Sequence, residues 1–419
     1  MFLLEKFRLI RSGLLLLVAL LIIAPHMSIG QIQDYAPVVK KGHTDIPFEY
    51  INGFIIVDVL FQKIVPMKFI FDTGAEYSVL FKPEYITALQ IPCSKKVRLV
   101  GTDLNTEIWA DICSGVYLQV SSVQSKLQQI IVLDEDYTDV DEFIGKQISG
   151  ILGADYFHNN VVSIDYKKML ITIIESTSFI PEKYHKYESF DLDIINNKPY
   201  LNCRTSFTPD STKTMKMLID TGAGISAIFH YNDTLNLKKE KWIQGVLGKG
   251  LSGDIAGYVG RVHSFQFGSF EFGQMISSFQ WFDEEILKNY KIVKSGLIGN
   301  VLLERFHLVI DYPSKKLYIK PIKKYNQPFE YDKSGLTIYA YGDNLNQYYI
   351  KHILTDSPAY KAGLLENDII LKINGWSYKL FSLKKINKKL SAKAGRKVTL
   401  KIKRGDQTLK KQIILKDLF

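Results

Sequence analysis

Short apolar runs separated by polar turns follow one another from residue 45 to residue 321. Residues 54–61 and 66–71 are rich in β-branched and aromatic side chains, which favour strands. These two runs are predicted to be the two strands of a hairpin. Later runs have the same character, so the pattern predicts a mainly β structure over this part of the chain.

The tetrapeptide Asp-Thr-Gly-Ala occurs twice, at residues 72–75 and 220–223, each time directly after an apolar run. A single Asp-Thr-Gly is usually an ordinary turn at the end of a strand. Both copies, however, belong to a larger repeat, in which an apolar-apolar-Gly element ends at Gly153 and at Gly299, and Ile-Asp-Tyr begins 11 positions after each of these glycines. The repeat predicts two homologous β-rich lobes, each with one Asp on the same turn.

With these motifs, residues 45–321 resemble the pepsin/retropepsin group of aspartic proteases. Gly299-Asn300 and the apolar residues after it are close to the retroviral form of the second element. The Ala after Asp-Thr-Gly is also more similar to retropepsins, whereas two lobes in one chain are more similar to pepsins. The resemblance implies a bilobal pepsin-like acid protease fold with pseudo-twofold symmetry.

The resemblance also implies a catalytic pair, Asp72 and Asp220, at the seam between the lobes. Two adjacent carboxyl groups cannot both ionise cheaply, so the pair would share one proton and activate a water molecule. Ala75 and Ala223 lack the hydroxyl that pepsins have there, so we expect a mildly acidic pH optimum. The residues expected to support the dyad are Thr73, Gly74, Thr221 and Gly222.

Two further segments are candidates for the flaps that close over substrate in this family. Residues 97–110 predict an exposed hairpin, and residues 246–260 are Gly-rich and stand at the same offset in the second half. An ordinary surface hairpin explains the pattern equally well. The flap candidates are Gly101, Trp109, Gly248 and Gly250.

The last 90 residues differ in character and resemble a bacterial PDZ domain of the α+β class. Ser357 is a predicted N-cap before Pro358, and Asn374-Gly375 is a strong turn signal between strands. Gly335 and Leu336 stand where this family binds a ligand's carboxylate. Because they depart from the Gly-Leu-Gly-Phe form, binding of a protein C-terminus stays open.

The N-terminus has the pattern of an export signal. Three basic residues precede an apolar run of 11 residues at 14–24, and small residues follow before Gln31. An uncleaved anchor is the alternative, and both place the remainder outside the cytoplasm, in the periplasm or secreted. The expected organisation is a signal peptide over 1–30, lobe one over 31–178, lobe two over 179–324 and a PDZ domain over 330–419.

Composition narrows these expectations. The chain is 46% hydrophobic with a net charge of +10, and no spacing of His or Cys suggests a metal site, so we expect no metal and no cofactor. The basic residues are not interleaved with aromatics, which argues against nucleic acid as a partner. Cys93 and Cys113 could form a disulfide with Cys203 left over, or all three could be buried thiols. One chain carries both aspartates, so we expect a monomer.

The sequence therefore predicts an exported aspartic endopeptidase that hydrolyses a peptide or protein substrate, with a PDZ domain that recruits a substrate or partner. A non-catalytic envelope adaptor that binds peptides is the main alternative. A different hydrolase on a β-rich scaffold is the third hypothesis, but no Ser/His/Asp or metal pattern supports it.

Overall fold

The computed structural model describes residues 22–23, 42–100, 107–124, 127–136, 138–231, 242–250, 253–282 and 295–418. Over these residues the chain is mainly β and forms four sheets. No helix among them is long and apolar enough to cross a membrane. The strands in chain order are β1 (Ile22–Ile23), β2 (His43–Pro47), β3 (Glu49–Ile51), β4 (Phe54–Phe61), β5 (Val65–Phe71), β6 (Val79–Leu80), β7 (Cys93–Val100), β8 (Glu107–Val116), β9 (Leu118–Val120), β10 (Val123–Gln124), β11 (Gln128–Leu133), β12 (Gly150–Leu152), β13 (Asn160–Asp165), β14 (Leu170–Glu175), β15 (Glu188–Asp191), β16 (Asp193–Ile195), β17 (Lys198–Thr208), β18 (Ser211–Ile219), β19 (Ala227–Tyr231), β20 (Ile243–Gly250), β21 (Gly253–Arg261), β22 (Ser264–Phe267), β23 (Phe270–Gly273), β24 (Ile276–Trp281), β25 (Gly296–Ile298), β26 (Phe306–Asp311), β27 (Lys316–Pro321), β28 (Leu336–Tyr341), β29 (Gln347–Ile353), β30 (Ile369–Ile373), β31 (Trp376–Ser377), β32 (Lys397–Arg404) and β33 (Gln407–Ile414).

The helices are few and short. Ser357 and Ser382 begin two of them, and each side chain accepts a hydrogen bond from a backbone N–H of the first turn, as an N-cap does. The α-helices are α1 (Glu84–Ala88), α2 (Val140–Ile144), α3 (Asn300–Leu303), α4 (Pro358–Lys361) and α5 (Leu383–Leu390), and the 3-10 turns are Ala154–Tyr156, Ser176–Ser178, Pro181–Tyr184 and Tyr378–Leu380.

The two lobes repeat one arrangement of strands. In the first, β5 leads into the motif and lies between β4 and β12, and in the second, β18 leads into the motif and lies between β17 and β25. The apolar-apolar-Gly strand runs parallel to the motif strand in both, with Ile151 beside Ile70 and Leu297 beside Leu218. The predicted hairpin of β4 and β5 is also present. The fold class is as predicted, with two related β lobes and a small α+β domain after them.

A six-stranded sheet joins the lobes, in the order β15-β27-β26-β13-β14-β2. Each lobe contributes three strands, and β13 pairs antiparallel with β26, with Val162 opposite Ile310. The strands β26 and β27 form a hairpin, and β26 also pairs across the seam because its repeat counterpart β13 presents a matching edge.

The C-terminal domain is a sheet in the order β28-β29-β30-β32-β33, with β31 beside β30. Helix α5 packs on this sheet through Leu383, Ile386 and Leu390, which are buried in the core of the domain. Because β28 is the last strand of the sheet, one of its edges is not paired with another strand of this domain.

Candidate active site

The strands β5 and β18 place Asp72 and Asp220 at the seam between the lobes. The backbone N–H of Asp72 donates to the Leu152 carbonyl at 3.0 Å, and that of Asp220 donates to the Ile298 carbonyl at 2.9 Å. The parallel strands β12 and β25 therefore fix where each motif strand ends. Both aspartates are fully buried.

The threonines of the two motifs hold the loops together. Thr73 Oγ1 donates to the Ile219 carbonyl at 2.7 Å and accepts from the Thr221 N–H at 3.1 Å. Thr221 Oγ1 donates to the Phe71 carbonyl at 2.9 Å and accepts from the Thr73 N–H at 3.0 Å. Each hydroxyl thus acts as both donor and acceptor across the seam, which fixes the two aspartates relative to each other.

The glycines of the motifs allow the carboxyl groups to approach. The N–H of Gly74 donates to Asp72 Oδ1 at 2.6 Å, and the N–H of Gly222 donates to Asp220 Oδ1 at 2.9 Å. A Cβ on Gly74 would lie 2.5 Å from the Asp220 Cγ, and one on Gly222 would lie 2.2 Å from the Asp72 Cγ. No other residue type fits at either position without moving a carboxyl group.

Burial and mutual repulsion control the charge of this pair. Burial raises the pKa of Asp72 well above its usual value, and the charge of Asp220 raises this pKa further. The N–H groups of Gly74 and Ala75 stabilise the carboxylate and oppose the shift. A hydrogen bond between the two carboxyl groups, which requires one of them to be protonated, would raise this pKa as well. Two adjacent carboxyl groups cannot both ionise cheaply, so a pair of this kind tends to share one proton.

Asn300 is a site residue that sequence reasoning did not single out. Its side-chain amide donates to the Thr221 carbonyl at 2.6 Å and to the Gly53 carbonyl at 2.7 Å, and its Oδ1 accepts from the Tyr166 hydroxyl. Asn300 thereby joins the second motif loop to Gly53 and Tyr166 of lobe one. Its place directly after Gly299 in the repeat was the signal that could have identified it.

Lys198 was missed as well, because a lone lysine after a turn carries no motif. It is buried, and burial lowers its pKa, while attraction to Glu76, Asp72 and Asp220 opposes that shift. Burial likewise raises the pKa of Glu76, against the attraction of Lys198. The site therefore contains a basic and an acidic side chain besides the two aspartates.

The flap candidates lie on two hairpins. Gly101 lies outside the described residues, Trp109 is 48% exposed on β8, and Gly248 and Gly250 are on β20. The first hairpin, β7 with β8, was expected to be exposed, but one of its faces is buried. Because apolar side chains alternate along both strands, this face packs in the same core as Ala75. Closure of either hairpin over substrate stays a prediction.

The predicted PDZ ligand loop already contains a carboxylate. Asp332 Oδ2 accepts from the N–H groups of Ser334 at 3.1 Å and Gly335 at 2.5 Å, and Oδ1 accepts from the Ser334 hydroxyl at 2.8 Å. Gly335 has the left-handed φ of 77°, and Leu336 begins β28. The loop thus forms a backbone nest filled by a side chain of the same chain, and capture of a ligand carboxylate stays a prediction.

No group of three or more His, Cys, Asp or Glu side chains in the described ranges could hold a metal ion. Ser163 Oγ lies 2.9 Å from His307 Nε2, and the Tyr187 hydroxyl lies 2.7 Å from His307 Nδ1. This Ser–His pair lies in the sheet that joins the lobes.

Comparison with known proteins identifies the C-terminal domain. Residues 349–404 match the family model of the PDZ domain, so this domain is a PDZ domain. A stretch of 130 residues is 34% identical to a probable CtpA-like serine protease of Staphylococcus saprophyticus, and it covers 31% of this chain and 26% of that protein. The chain therefore spans about a quarter of the length of that relative.

Two solved structures align with most of the chain at low similarity. The aspartic proteinase from Irpex lacteus covers 68% of this chain and 99% of its own, with a TM-score of 0.44 and 13% identity. Conglutin gamma, a basic 7S globulin from lupine seeds, covers 69% of this chain and 97% of its own, with a TM-score of 0.42 and 8% identity. Similarity at this level carries no statement about activity.

Proposed function

We propose that the protein is an exported aspartic-type endopeptidase that uses Asp72 and Asp220 as its catalytic pair. The observation that carries the proposal is the approach of the two carboxyl groups, each packed against the glycine of the opposite motif. Four hydrogen bonds of the two motif threonines hold this arrangement. Burying two acidic groups side by side lowers the stability of the folded protein, and a catalytic role explains why the arrangement would be kept.

In the proposed mechanism the two carboxyl groups share one proton. The ionised carboxylate removes a proton from a water molecule, and the water attacks the carbonyl carbon of the peptide bond. The protonated carboxyl group donates a hydrogen bond to the carbonyl oxygen and stabilises the charge that develops there. The carboxyl group that took the proton from water then passes it to the amide nitrogen, and the C–N bond breaks to release the amine without a covalent intermediate.

The substrate of this site would be an extended peptide or protein segment. Peptides that lie along strands bind through backbone hydrogen bonds, and the hairpins β7–β8 and β20–β21 are the candidates to provide them. The export signal expected over residues 1–30 and the disulfide between Cys93 and Cys113 support a location outside the cytoplasm. The PDZ domain would recruit a protein or peptide partner.

A serine-type peptidase is the second candidate, favoured by the name of the relative and by the pair of Ser163 with His307. Two features argue against it. The group that orients His307 is the Tyr187 hydroxyl rather than a carboxylate. Ser163 also lies in the middle of β13, which pairs on both sides, so its neighbouring backbone amides are committed to the sheet rather than to an oxyanion.

The test is cleavage of a mixed peptide library by the purified chain from pH 3 to pH 8, beside Asp72→Asn, Asp220→Asn and Ser163→Ala. We expect turnover in the wild type that falls by more than about 10³-fold in both Asn variants and is unchanged in Ser163→Ala. Activity should peak at mildly acidic pH and be lost as the pH rises through the raised pKa of the pair, because the shared proton is then released.

Loss of turnover in Ser163→Ala alone would instead establish the serine type. If the wild type is inactive at every pH but binds the library, the peptide-binding adaptor is the better description. A peak at strongly acidic pH would contradict the expectation drawn from Ala75 and Ala223.

A further inference from the structure

The edge of the PDZ domain between β28 and α5 is the candidate site for a peptide. Peptides bind to PDZ domains as an additional strand on an exposed sheet edge. In this domain β28 is the edge strand of the sheet, and α5 packs beside it. An extended peptide would therefore lie in the groove, the space between β28 and α5.

Lobe one contacts β28 through helix α2 and the residue after it. The ring of Phe143 packs on the ring of Tyr339, with 5.9 Å between centroids, and the Tyr349 hydroxyl donates to Glu142 Oε2 at 2.8 Å. Gly145, which ends the helix, lies between the two walls of the groove. A Cβ at this position would lie 3.4 Å from the Cβ of Leu383 and 3.7 Å from that of Ala340.

A second segment of lobe one contacts α5. Lys384 Nζ donates to the Tyr50 carbonyl at 2.8 Å, and Asn387 Nδ2 is 3.4 Å from Asn52 Oδ1. The side chain of Asn52 also donates to the Phe143 carbonyl at 3.1 Å. Asn52 thus ties the two contacting segments of lobe one together.

From these contacts we infer that lobe one occupies the groove of the PDZ domain, so that an extended peptide binds there only when lobe one moves away. The occupant is the segment of residues 139–145, supported by Asn52. One wall of the groove bonds to lobe one through Asn387, and Gly145 stands between both walls. The nest at Gly335 is filled by Asp332 of the same chain, so its N–H groups are not available to a ligand carboxylate while Asp332 stays in place.

The contact at Asn52 is connected to the dyad through neighbouring residues. Gly53 follows Asn52, and a Cβ on Gly53 would lie 2.6 Å from the Gly224 Cα, just beyond the second motif. The Gly53 carbonyl and the Thr221 carbonyl accept from the same amide group of Asn300. Resting on the proposed function, we infer that release of the PDZ domain alters the support of the second motif loop and hence turnover.

The first experiment measures binding without turnover. The full-length chain carries Asp72→Asn, and the probe is a fluorescein-labelled decapeptide library, prepared with free and with amidated C-termini and read by anisotropy. Glu142→Lys removes the acceptor of Tyr349 and places a cation at the contact, and Asn52→Gly removes both hydrogen bonds of Asn52 while keeping its left-handed backbone. Glu142→Gln is the matched control, since its amide oxygen still accepts from Tyr349.

We expect Glu142→Lys and Asn52→Gly to bind the probe at least about tenfold more tightly than the parent chain, because apparent affinity rises with the fraction of open molecules. Glu142→Gln should bind like the parent. Bound peptide should also speed amide hydrogen exchange at residues 139–145. Equal affinity in all four chains, no binding in any of them, or unchanged exchange with peptide bound would overturn the inference.

The second experiment adds the decapeptides that bind in the first experiment to the chain with both aspartates, and measures kcat and KM of a reporter substrate. We expect a change of at least about threefold in kcat/KM at saturating peptide. An unchanged value would overturn the link to the dyad. Absence of turnover with and without peptide would count against the proposed function and leave the binding result standing, so the two failures are distinguishable.

Discussion

The hydroxyl groups of Tyr166 and Tyr312 occupy equivalent positions of the repeat but have different surroundings. Each tyrosine stands 13 positions after the Gly of its lobe, and each is buried. The Tyr166 hydroxyl donates to Asn300, which follows Gly299. The corresponding position after Gly153 is Ala154, and the Tyr312 hydroxyl has no hydrogen-bond partner within the described part of the chain.

This difference predicts opposite effects of one conservative change. Tyr166→Phe leaves the buried Oδ1 of Asn300 without its donor and should lower the free energy of unfolding by about 1–3 kcal/mol. Tyr312→Phe removes a buried hydroxyl that bonds to nothing in the described residues, and should be neutral or stabilising by up to about 1 kcal/mol. Urea unfolding of the two variants beside the wild type measures both values.

The paired variants control for each other, because the same group is removed from equivalent burial. An equal loss of stability in both would mean that Tyr312 has a partner, such as an ordered water, and would contradict the asymmetry. Since the amide of Asn300 donates to two carbonyl groups, its Oδ1 must face Tyr166, and the assignment of donor and acceptor is fixed.

At the scale of elements, the hairpin β7–β8 is closed at its base by the disulfide of Cys93 and Cys113, which are 20 residues apart. The two cysteines are opposite each other in the strand register. Cys203 is buried in β17 as a free thiol, and burial raises its pKa well above the ordinary value. The thiol of Cys203 is therefore unreactive while the protein is folded.

Loss of the disulfide should destabilise the first lobe. A bridge that closes a loop of this length contributes about 3 kcal/mol in the chain-entropy model. We expect Cys93→Ser with Cys113→Ser to lower the free energy of unfolding by about this amount, and Cys203→Ala, the control, to cost less. Denatured protein from an oxidising compartment should take up one alkyl group, and reduced protein three, one for each cysteine in the chain. Three without reduction would contradict the bridge.

The elements that could be predicted are those marked by a regular spacing of apolar residues or by a motif. The strands around Asp72 and Asp220 follow from apolar runs that end in the same tetrapeptide, and the N-cap at Ser357 was correctly placed. The hairpin of residues 97–110 was wrongly expected to be exposed, although alternation of Val97, Leu99 and Ala110 with polar residues indicates one buried face. The pairing of β26 with β13 was missed because edge-to-edge pairing between repeats leaves no local pattern.

The contact between the PDZ domain and lobe one could not be predicted from the sequence. The residues that form it, such as Glu142, Asn52 and Asn387, are polar or half-buried positions without a spacing that marks them. Lys198 and Asp332 could not be predicted for related reasons. Lys198 interacts with side chains that are distant in sequence, and the bonds of Asp332 depend on the turn conformation of the residues after it. The repeat, in contrast, predicted that two aspartates meet, because two homologous lobes that pack about a dyad bring equivalent turns together.

Because one chain supplies both aspartates, variants that lack different ones should not complement each other when they are mixed. If each active site is built within a chain, an equal mixture of Asp72→Asn and Asp220→Asn should show no more turnover than either variant alone. If lobes were exchanged between two chains, half of the dimers would contain one chain of each kind, and one of their two sites would have both aspartates. Such a mixture would recover about a quarter of wild-type turnover.

Turnover per wild-type chain should also be independent of protein concentration from the nanomolar to the micromolar range, since the four threonine hydrogen bonds across the seam join parts of the same chain. Recovery of activity on mixing would contradict this architecture, whatever the substrate.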